Sequence, residues 1–340
     1  MIGYDIYLNR YLIVLRVTSS LAWFPVFPSA ELSLILGKAI AERLPTIQAR
    51  PWIKSLAQWD ACLKPFGGKI SSISKTRSRS RRKKKKLKLP EASWPIESVL
   101  FFYPGKRNYG RGELILWELK LFGKSADHGL FLEVILPALE ELGSIPDSRW
   151  QYPNCLWGKF DIQSVYMARG PRWEPVVKDG RLDLSYKAGP LQWSEGLTFE
   201  PAPHRASKKK SLKSLTWLTP FQFGTPPSDV RIPTLRWITE AFIERVALLM
   251  QGKYYNIGKF LDILNQEDQS ALWNIIEADS HIPVFSNDIQ PAPGYCPGRW
   301  TGAQTFTASI PDSLIPYLGL ASIFHIGKYS HFGCGTFFIR

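Results

Sequence analysis

Apolar and polar positions in the first half of the chain predict β-strands separated by two helices. Residues 4–19 are dense in β-forming side chains and predict a strand or a hairpin. From Ser29, a suitable N-cap, apolar residues recur with helical spacing to about Leu44, and Pro45 ends this pattern. The other predicted elements are strands over 98–103, 113–122, 160–167 and 181–186, and a helix over 127–142. We expect Pro137 to kink or split that second helix.

The second half repeats this order of elements, although its residues do not repeat those of the first half. Its clearest helix runs from Pro233-Thr234 to about Gln251, with one apolar face and Gly252 at its end. The other predicted elements are strands over 214–223, 300–310 and 336–340, and a helix within 311–326. The order βαββαβ is that of a ferredoxin-like fold.

We therefore predict an α+β protein of two tandem ferredoxin-like (RRM-like) domains, residues 1–188 and 189–340. RNA-recognition motifs have this order of elements and leave one sheet face open to bases. The periodicity leaves undecided whether the first sheet here is open or covered.

Composition is that of a folded protein, since 45% of the 340 residues are hydrophobic. No segment reaches the length of an uncharged membrane span, so no membrane partner is expected. The four cysteines are far apart and form no CxxC pair: Cys62, Cys155, Cys296 and Cys334. This spacing argues against a zinc site and against a disulfide framework, and it fits a reducing cytoplasm.

Most of the net charge of +14 lies in one segment. Residues 69–88 contain eleven lysines and arginines and no acid, which leaves +3 for the rest of the chain. Such a run repels itself and has little to bury, so residues from about 69 to 90 predict a disordered basic arm. We favour phosphate binding over a merely solvated loop, because the chain is basic and carries no membrane anchor.

Three glycines and a lysine distinguish the segment Gly327–Gly335, which we call the terminal loop. Its glycines allow positive φ and close approach to a ligand, and its consecutive N–H groups can bind an anion beside Lys328. Tyr329, His331 and Phe332 offer faces on which bases stack. The alternative is a tight turn between a helix and a strand, with glycines present for geometry alone.

The order helix, Gly-Lys-x-x-x-Phe-Gly-x-Gly, terminal strand resembles the C-terminal glycine-rich loop of the RAMP superfamily of CRISPR proteins. Within it, the chain is most similar to the endoribonucleases that process CRISPR precursor RNA. Three further segments resemble the family in the right order: 111–123, 218–222 and 299–304. The first hundred residues match the family only in outline.

The resemblance implies a metal-independent nuclease that cuts at the base of a repeat hairpin. In that chemistry the ribose 2′-OH attacks the adjacent phosphate and leaves a 2′,3′-cyclic phosphate. It requires a general base, often histidine, and a cation or hydroxyl that stabilises the transition state. No HxxxH, HExxH or paired-aspartate pattern suggests a metal site, and we expect no cofactor. The implied partners are CRISPR repeat RNA and, if the protein stays bound to its product, other effector-complex subunits.

The candidate RNA-binding residues lie in the terminal loop, the basic arm and a second basic cluster. They are Gly327, Lys328, Tyr329, Ser330, His331, Gly333, Gly335, Arg81, Arg82, Lys83, Lys84, Lys208, Lys209 and Lys210. We expect the substitution Gly333→Val to weaken RNA binding more than it weakens folding.

The candidate catalytic residues are His331 and His325. Many members of the family place the catalytic histidine in the first domain, but this chain has no histidine before His128. Either one of these two histidines is the base, or tyrosine, lysine and arginine residues carry out a slower reaction, or the protein binds RNA without cutting it. In the last case it is a non-catalytic RAMP subunit that holds the repeat-derived end of a guide RNA as a scaffold. A general RNA-binding protein, such as a ribosome-associated factor, would explain the charge but not the terminal loop.

Overall fold

We analysed a computed structural model of the chain. It describes residues 6–24, 27–63, 95–103, 105–145, 156–197, 212–224, 230–250, 257–262, 281–293 and 296–340, and five positions between 266 and 277. The basic arm over 69–90 and the cluster over 208–210 lie outside the described residues, and with them the seven candidate RNA-binding positions that they contain.

The first half forms a six-stranded antiparallel sheet with the order β3-β5-β1-β6-β7-β8. Its strands are β1 (Leu8–Val17), β3 (Ser98–Phe102), β5 (Leu114–Phe122), β6 (Phe160–Arg169), β7 (Arg172–Lys178) and β8 (Arg181–Leu182). A separate pair of short strands, β2 (Ala22–Trp23) and β4 (Asn108–Tyr109), links the segment after β1 to the β3–β5 loop, which we define as residues 103–113. The sequence did not predict β7.

Helices cover one face of this sheet. Of the four helices that the structure describes in this half, α1 (Ser29–Arg43) and α4 (Leu136–Ser144) pack on that face, α2 (Thr46–Leu63) packs against α1, and α3 (His128–Leu130) precedes α4. A π-helical turn, Phe131–Ile135, joins α3 to α4, and Pro137 lies in the first turn of α4, so the predicted split is confirmed. The sequence did not predict α2. Apolar residues of α1 and α4, among them Ile35, Ile40 and Leu139, share one core with Ile13 and Trp117 of the sheet.

The second half forms a four-stranded antiparallel sheet with the order β10-β13-β9-β14. Its strands are β9 (Ser214–Trp217), β10 (Val284–Asn287), β13 (Ala303–Phe306) and β14 (Phe337–Ile339), and a separate pair is formed by β11 (Gln290–Pro291) and β12 (Trp300–Thr301). Its helices are α5 (Leu235–Leu249), α6 (Ile257–Asp262) and α7 (Ile315–Phe324). The Thr234 hydroxyl caps α5 by accepting from Trp237 N, at the predicted helix start.

The two sheets share one arrangement. In the four-stranded sheet, the strands lie in the order second, third, first, fourth along the chain. The strands β3-β5-β1-β6 of the larger sheet follow the same order, and β7 and β8 extend it beyond β6. The expected mixed α+β class with antiparallel sheets is therefore confirmed.

The cores of the two halves interlock. Ile6, Leu8, Val99 and Phe122 of the first half are buried together with α5 and α7 of the second half. In the opposite direction, Phe332 and Cys334 of the terminal loop join the core of the first half. The indole of Trp193 adds a polar link, because its Nε1 donates to Ile6 O at 3.0 Å.

Within the described residues, no helix is long and apolar enough to cross a membrane.

Candidate nucleic-acid interface

The terminal loop lies between the two halves, against the edge strand β3. A 3₁₀ turn over Ser330–Phe332 forms its centre, with left-handed residues on both sides, Tyr329 at φ 62° and Gly333 at φ 79°. Ser330 and Phe332 are buried, whereas Lys328, Tyr329 and His331 are half-buried. These three side chains are therefore partly accessible, although the Nε2 atom of His331 is buried.

Two glycines of this loop are required by the protein itself. A Cβ at Gly333 would lie 2.1 Å from Leu100 O in β3, and one at Gly335 would lie 1.8 Å from Ile326 O. Both residues also have φ near +80°. The structure changes the expectation for Gly333→Val: we now expect this substitution to weaken folding first, because the new side chain would collide with the backbone of β3.

The loop's backbone donors are also engaged. Five N–H groups donate to protein carbonyls: Lys328 to Gln222, Phe332 to Tyr329, Gly333 to Ser330, Cys334 to Tyr329 and Gly335 to Pro220. A donor already paired within the fold is not free to bind phosphate. These five groups do not form the anion-binding concavity that the sequence predicted, and this part of the interpretation needs correction.

His325, at the end of α7, ties the terminal loop to the first sheet. Its Nδ1 lies 3.0 Å from Gly333 O and 3.2 Å from Cys334 O, so it must carry a proton and donate it. Its Nε2 then accepts from Lys120 Nζ in β5 at 2.9 Å. Burial, together with the charges of Lys120 and Arg245, lowers the pKa of His325 well below its usual value. The ring is neutral, has a fixed tautomer and is 0% exposed.

Lys120 belongs to a buried network of charges on β5. Its ammonium lies 3.7 Å from the Glu118 carboxylate, which also accepts from Arg10 Nε at 2.7 Å and from the Tyr103 hydroxyl at 3.2 Å. Burial lowers the pKa of Lys120 to about 7, although the Glu118 charge opposes the shift. Burial raises the pKa of Glu118, but the Arg10 and Lys120 charges outweigh this effect, so that it lies below the usual value.

His331 occupies a different environment within the same loop. Its ring packs 4.1 Å from that of Phe332 and meets Tyr329 edge-on at 6.5 Å, measured between ring centroids. Burial and then the Arg245 charge lower its pKa to about 3. His331 is therefore neutral near pH 7 and can accept a proton, but it is a weak base in the free protein.

His128, the first histidine of the chain, has a structural position. Its Nδ1 lies 3.0 Å from the hydroxyl of Tyr11, and the two rings stack at 6.0 Å beside Phe131. Burial lowers its pKa. The preceding residue, Asp127, caps α3 by accepting from Gly129 N at 2.8 Å.

A scan against protein-family models finds no match, and a search of curated proteins finds none either. Solved structures do match. One is a chain of a partial Cas6-RT-Cas1–Cas2 complex, with a TM-score of 0.51 and 11% identity over 98% of this chain and 46% of that chain. A chain of a Cas6-RT-Cas1–Cas2 complex matches with the same score and identity over 98% and 28% of the two chains. Thermus thermophilus Cas6 has a TM-score of 0.44 and 16% identity over 99% and 100%.

The chain has a Cas6-like fold. It spans less than half the length of the first two matched chains. The resemblance carried by the terminal loop is thus confirmed at the level of the fold. The assignment of individual RNA-binding and catalytic residues stays a prediction.

The β3–β5 loop of this Cas6-like fold is a basic surface that sequence reasoning missed. Lys106, Arg107 and Arg111 are exposed on it. Backbone carbonyls hold two of them, since Arg111 Nε donates to Thr18 O at 2.9 Å and Arg107 Nε to Phe24 O at 3.4 Å. The sequence feature that could have predicted this basic surface is the segment Gly105–Gly112, which combines glycines, cations and an aromatic residue as the terminal loop does.

Among the described residues, no group of three or more histidine, cysteine, aspartate or glutamate side chains is arranged to hold a metal ion.

Proposed function

We propose that the chain is an endoribonuclease that binds CRISPR repeat RNA and cleaves the precursor at the base of the repeat hairpin. Its support is the Cas6-like fold together with the RAMP-type terminal loop and the net charge of +14. The cut would proceed by attack of the 2′-OH on the adjacent phosphate and leave a 2′,3′-cyclic phosphate, without a metal ion.

One observation carries this proposal. The two sheets have the same order of four strands, and a glycine-rich loop follows the last helix and precedes the last strand. A chain of a Cas6-containing complex matches this arrangement over 98% of the present chain. We interpret the two halves as tandem ferredoxin-like domains, 1–188 and 189–340.

The two histidines near the terminal loop would have different roles. We propose His331 as the general base, because it is neutral and, unlike His325, keeps partial exposure, although its Nε2 atom is buried in the free protein. A bound phosphate would raise its pKa towards the working range, since a nearby negative charge favours the protonated ring. We propose that His325, whose two ring nitrogens are both bonded inside the protein, positions the loop. Lys328, the arm over 69–90 and Lys208–Lys210 would contact phosphates.

The second candidate is a non-catalytic RAMP subunit that holds the repeat-derived RNA end in an effector complex. The geometry of His325 favours it, because a fully buried and doubly bonded ring has no free nitrogen for RNA. The absence of any histidine from residues 1–127 points in the same direction.

A cleavage assay separates the two candidates. Full-length protein is incubated with an end-labelled CRISPR repeat hairpin in EDTA at moderate salt, and the products are resolved on a denaturing gel. We expect a single cut at the foot of the stem, abolished by a 2′-deoxy substitution at that nucleotide. Tight hairpin-selective binding without a cut would support the scaffold instead. No preference for the hairpin would contradict both.

Variants of the histidines then test the base. We expect His331→Ala to slow the cut by about 10²- to 10⁴-fold, the usual contribution of a general base. His281→Ala is the matched control, because His281 is exposed in a loop before β10 and should leave the rate unchanged. A normal rate for His331→Ala would remove His331 from the mechanism.

A further inference from the structure

Part of one face of the six-stranded sheet has no covering helix or strand among the described residues. The opposite face packs on α1 and α4. On the uncovered face the β1–β5 register pairs Val14 with Leu116 and Arg16 with Leu114. Leu114 is 48% exposed and Leu116 is 42% exposed, although both lie on a long interior strand. We call this region the open face.

Three aromatic side chains lie on the open face. Tyr103, at the end of β3, is 38% exposed, and its hydroxyl donates to Glu118, which shares this face. Tyr166 of β6 pairs with Leu12 in the middle of the sheet and is half-buried. Trp173 of β7 is also half-buried, and the Arg10 guanidinium lies 5.2 Å from its ring centroid. The floor of this face is therefore aliphatic and aromatic.

Basic residues surround this floor. Arg16 projects from β1 at the Leu114 end, and Lys178 of β7 pairs with Ser164 on the same face. Lys106, Arg107 and Arg111 are exposed on the adjoining β3–β5 loop. Two acids offset part of this charge, since Arg16 lies 3.7 Å from Asp161 and Lys106 bonds to Glu113. These basic and acidic residues around the open face, which we call the rim, together keep a net positive charge.

This combination indicates what covers the face. The open face offers apolar and aromatic side chains surrounded by lysines and arginines, so its occupant must present both flat apolar groups and negative charge. The chain's own basic arm carries eleven positive charges, which the rim would repel. Single-stranded RNA meets both requirements, because its bases stack on aromatic rings and its phosphates pair with lysine and arginine.

We propose that the open face binds unpaired nucleotides next to the repeat hairpin. Their bases stack on Tyr103, Tyr166 and Trp173, and their phosphates face Arg16 and the β3–β5 loop. The choice of repeat RNA as the source of these nucleotides rests on the proposed function. The stacking site itself rests on the geometry of the sheet.

The test uses full-length protein and three fluorescent RNAs: a blunt repeat hairpin, the same hairpin with ten unpaired flanking nucleotides, and the ten-nucleotide strand alone. We expect Tyr166→Ala to weaken binding of the flanked hairpin and of the free strand by about fivefold to a hundredfold. Binding of the blunt hairpin should not change. Tyr166→Phe keeps the ring and should retain wild-type affinity.

A second pair of variants distinguishes a loss of RNA binding from a loss of folding. Leu116→Glu and Leu116→Lys replace the same exposed side chain with opposite charges, so their effects on folding should be similar. We expect the first to weaken and the second to strengthen binding of the free strand. Phe285→Ala is the control, because Phe285 is a 75% exposed aromatic residue on β10 of the other sheet and should have no effect.

The outcomes separate the two proposals. Equal affinities for all variants, or equal losses for blunt and flanked hairpins, would overturn the stacking site even if the hairpin is cut. A different result is that the hairpin is neither preferred nor cut, but Tyr166→Ala still weakens binding of the free strand. This result would support the RNA-binding site on the open face and contradict the proposed function.

Discussion

Two glycine-rich loops of this molecule have nearly the same composition but opposite environments. Gly105–Gly112 and Gly327–Gly335 both begin with Gly-Lys, contain an aromatic residue and end with Gly-x-Gly. The terminal loop lies between the two halves, where a Cβ at Gly333 would collide with the Leu100 carbonyl of β3. The β3–β5 loop is exposed, and a Cβ at Gly112 would meet nothing within 4 Å.

This difference shows that glycine content does not identify a ligand-binding loop. The glycines of the terminal loop allow protein backbone to approach protein backbone, and its amide groups are largely used within the fold. The β3–β5 loop presents its cations to solvent. The terminal loop therefore serves first as a connection between the halves, and the exposed loop is better placed to receive a polyanion.

The largest effect is expected from adding one methyl group to the terminal loop. We predict that Gly335→Ala lowers the free energy of unfolding by about 2 to 5 kcal/mol, because it adds a collision to the strain of positive φ. Gly112→Ala is the matched control, since its φ is +84° without a neighbour, and it should cost about 1 to 2 kcal/mol. Denaturant unfolding of both variants measures the difference. Equal losses would contradict the close approach of the Gly335 backbone to the Ile326 carbonyl.

The next effect concerns the link between the terminal loop and β5. Lys120→Met removes the donor to His325 Nε2 and leaves a buried acceptor unsatisfied beside a buried carboxylate. We predict a loss of about 3 kcal/mol, at the lower end of the range for a broken buried pair, because Glu118 keeps Arg10. Lys106→Met removes an exposed lysine instead and should stay within about 0.5 kcal/mol. If both variants unfold at the wild-type denaturant concentration, the Lys120–His325 bond does not stabilise the fold.

A smaller effect is expected from pH. The pKa of His325 is lowered in the folded protein, so the unfolded chain binds a proton that the folded chain does not. Stability should therefore be complete above the unfolded pKa of about 6.5 and fall below it, by about 2 kcal/mol between pH 7 and pH 5 for this residue. Denaturant midpoints across this range should show the slope, and His325→Gln should reduce it by this share, while His331 and His128, whose pKa values are also lowered, keep the rest. An unchanged slope in the variant would assign the pH dependence to other groups.

The smallest effect on folding is expected in the β3–β5 loop. Replacement of Lys106, Arg107 and Arg111 by glutamine should change stability by less than about 0.5 kcal/mol per residue. It should reduce the salt dependence of RNA binding, by about 0.7 in the log–log slope for each phosphate of a single strand that the variant no longer binds. Titrations at several salt concentrations measure this slope. A wild-type slope would mean that the loop does not bind phosphate.

Much of the fold was predictable because its elements carry local signals. Helix α5 begins after Thr234, whose hydroxyl caps it, and Pro137 marks the division before α4. Strand β7 was missed because Pro175 interrupts its β-forming residues, although neighbouring strands pair along both of its sides. Helix α2 was missed because Pro45 and Pro51 read as breaks in the pattern.

The site was less predictable because burial of a loop depends on distant chain segments. Nothing near Gly333 in the sequence shows that Leu100 lies against it, or that Lys120 reaches His325. The same limit applies to the open face. The alternation of β5 shows which residues share a face, but only the tertiary structure shows that Leu114 and Leu116 lack a covering helix among the described elements.

Hydrogen exchange of the full-length protein, with and without the flanked repeat hairpin, tests the contrast between the two loops most directly. We predict that the amides of Phe332, Gly333, Cys334 and Gly335 exchange slowly in the free protein and gain little protection with RNA, because they are already bonded. Peptides covering residues 105–116 should gain protection when RNA binds. Rapid exchange of the terminal loop in the free protein, slowed only by RNA, would contradict the account.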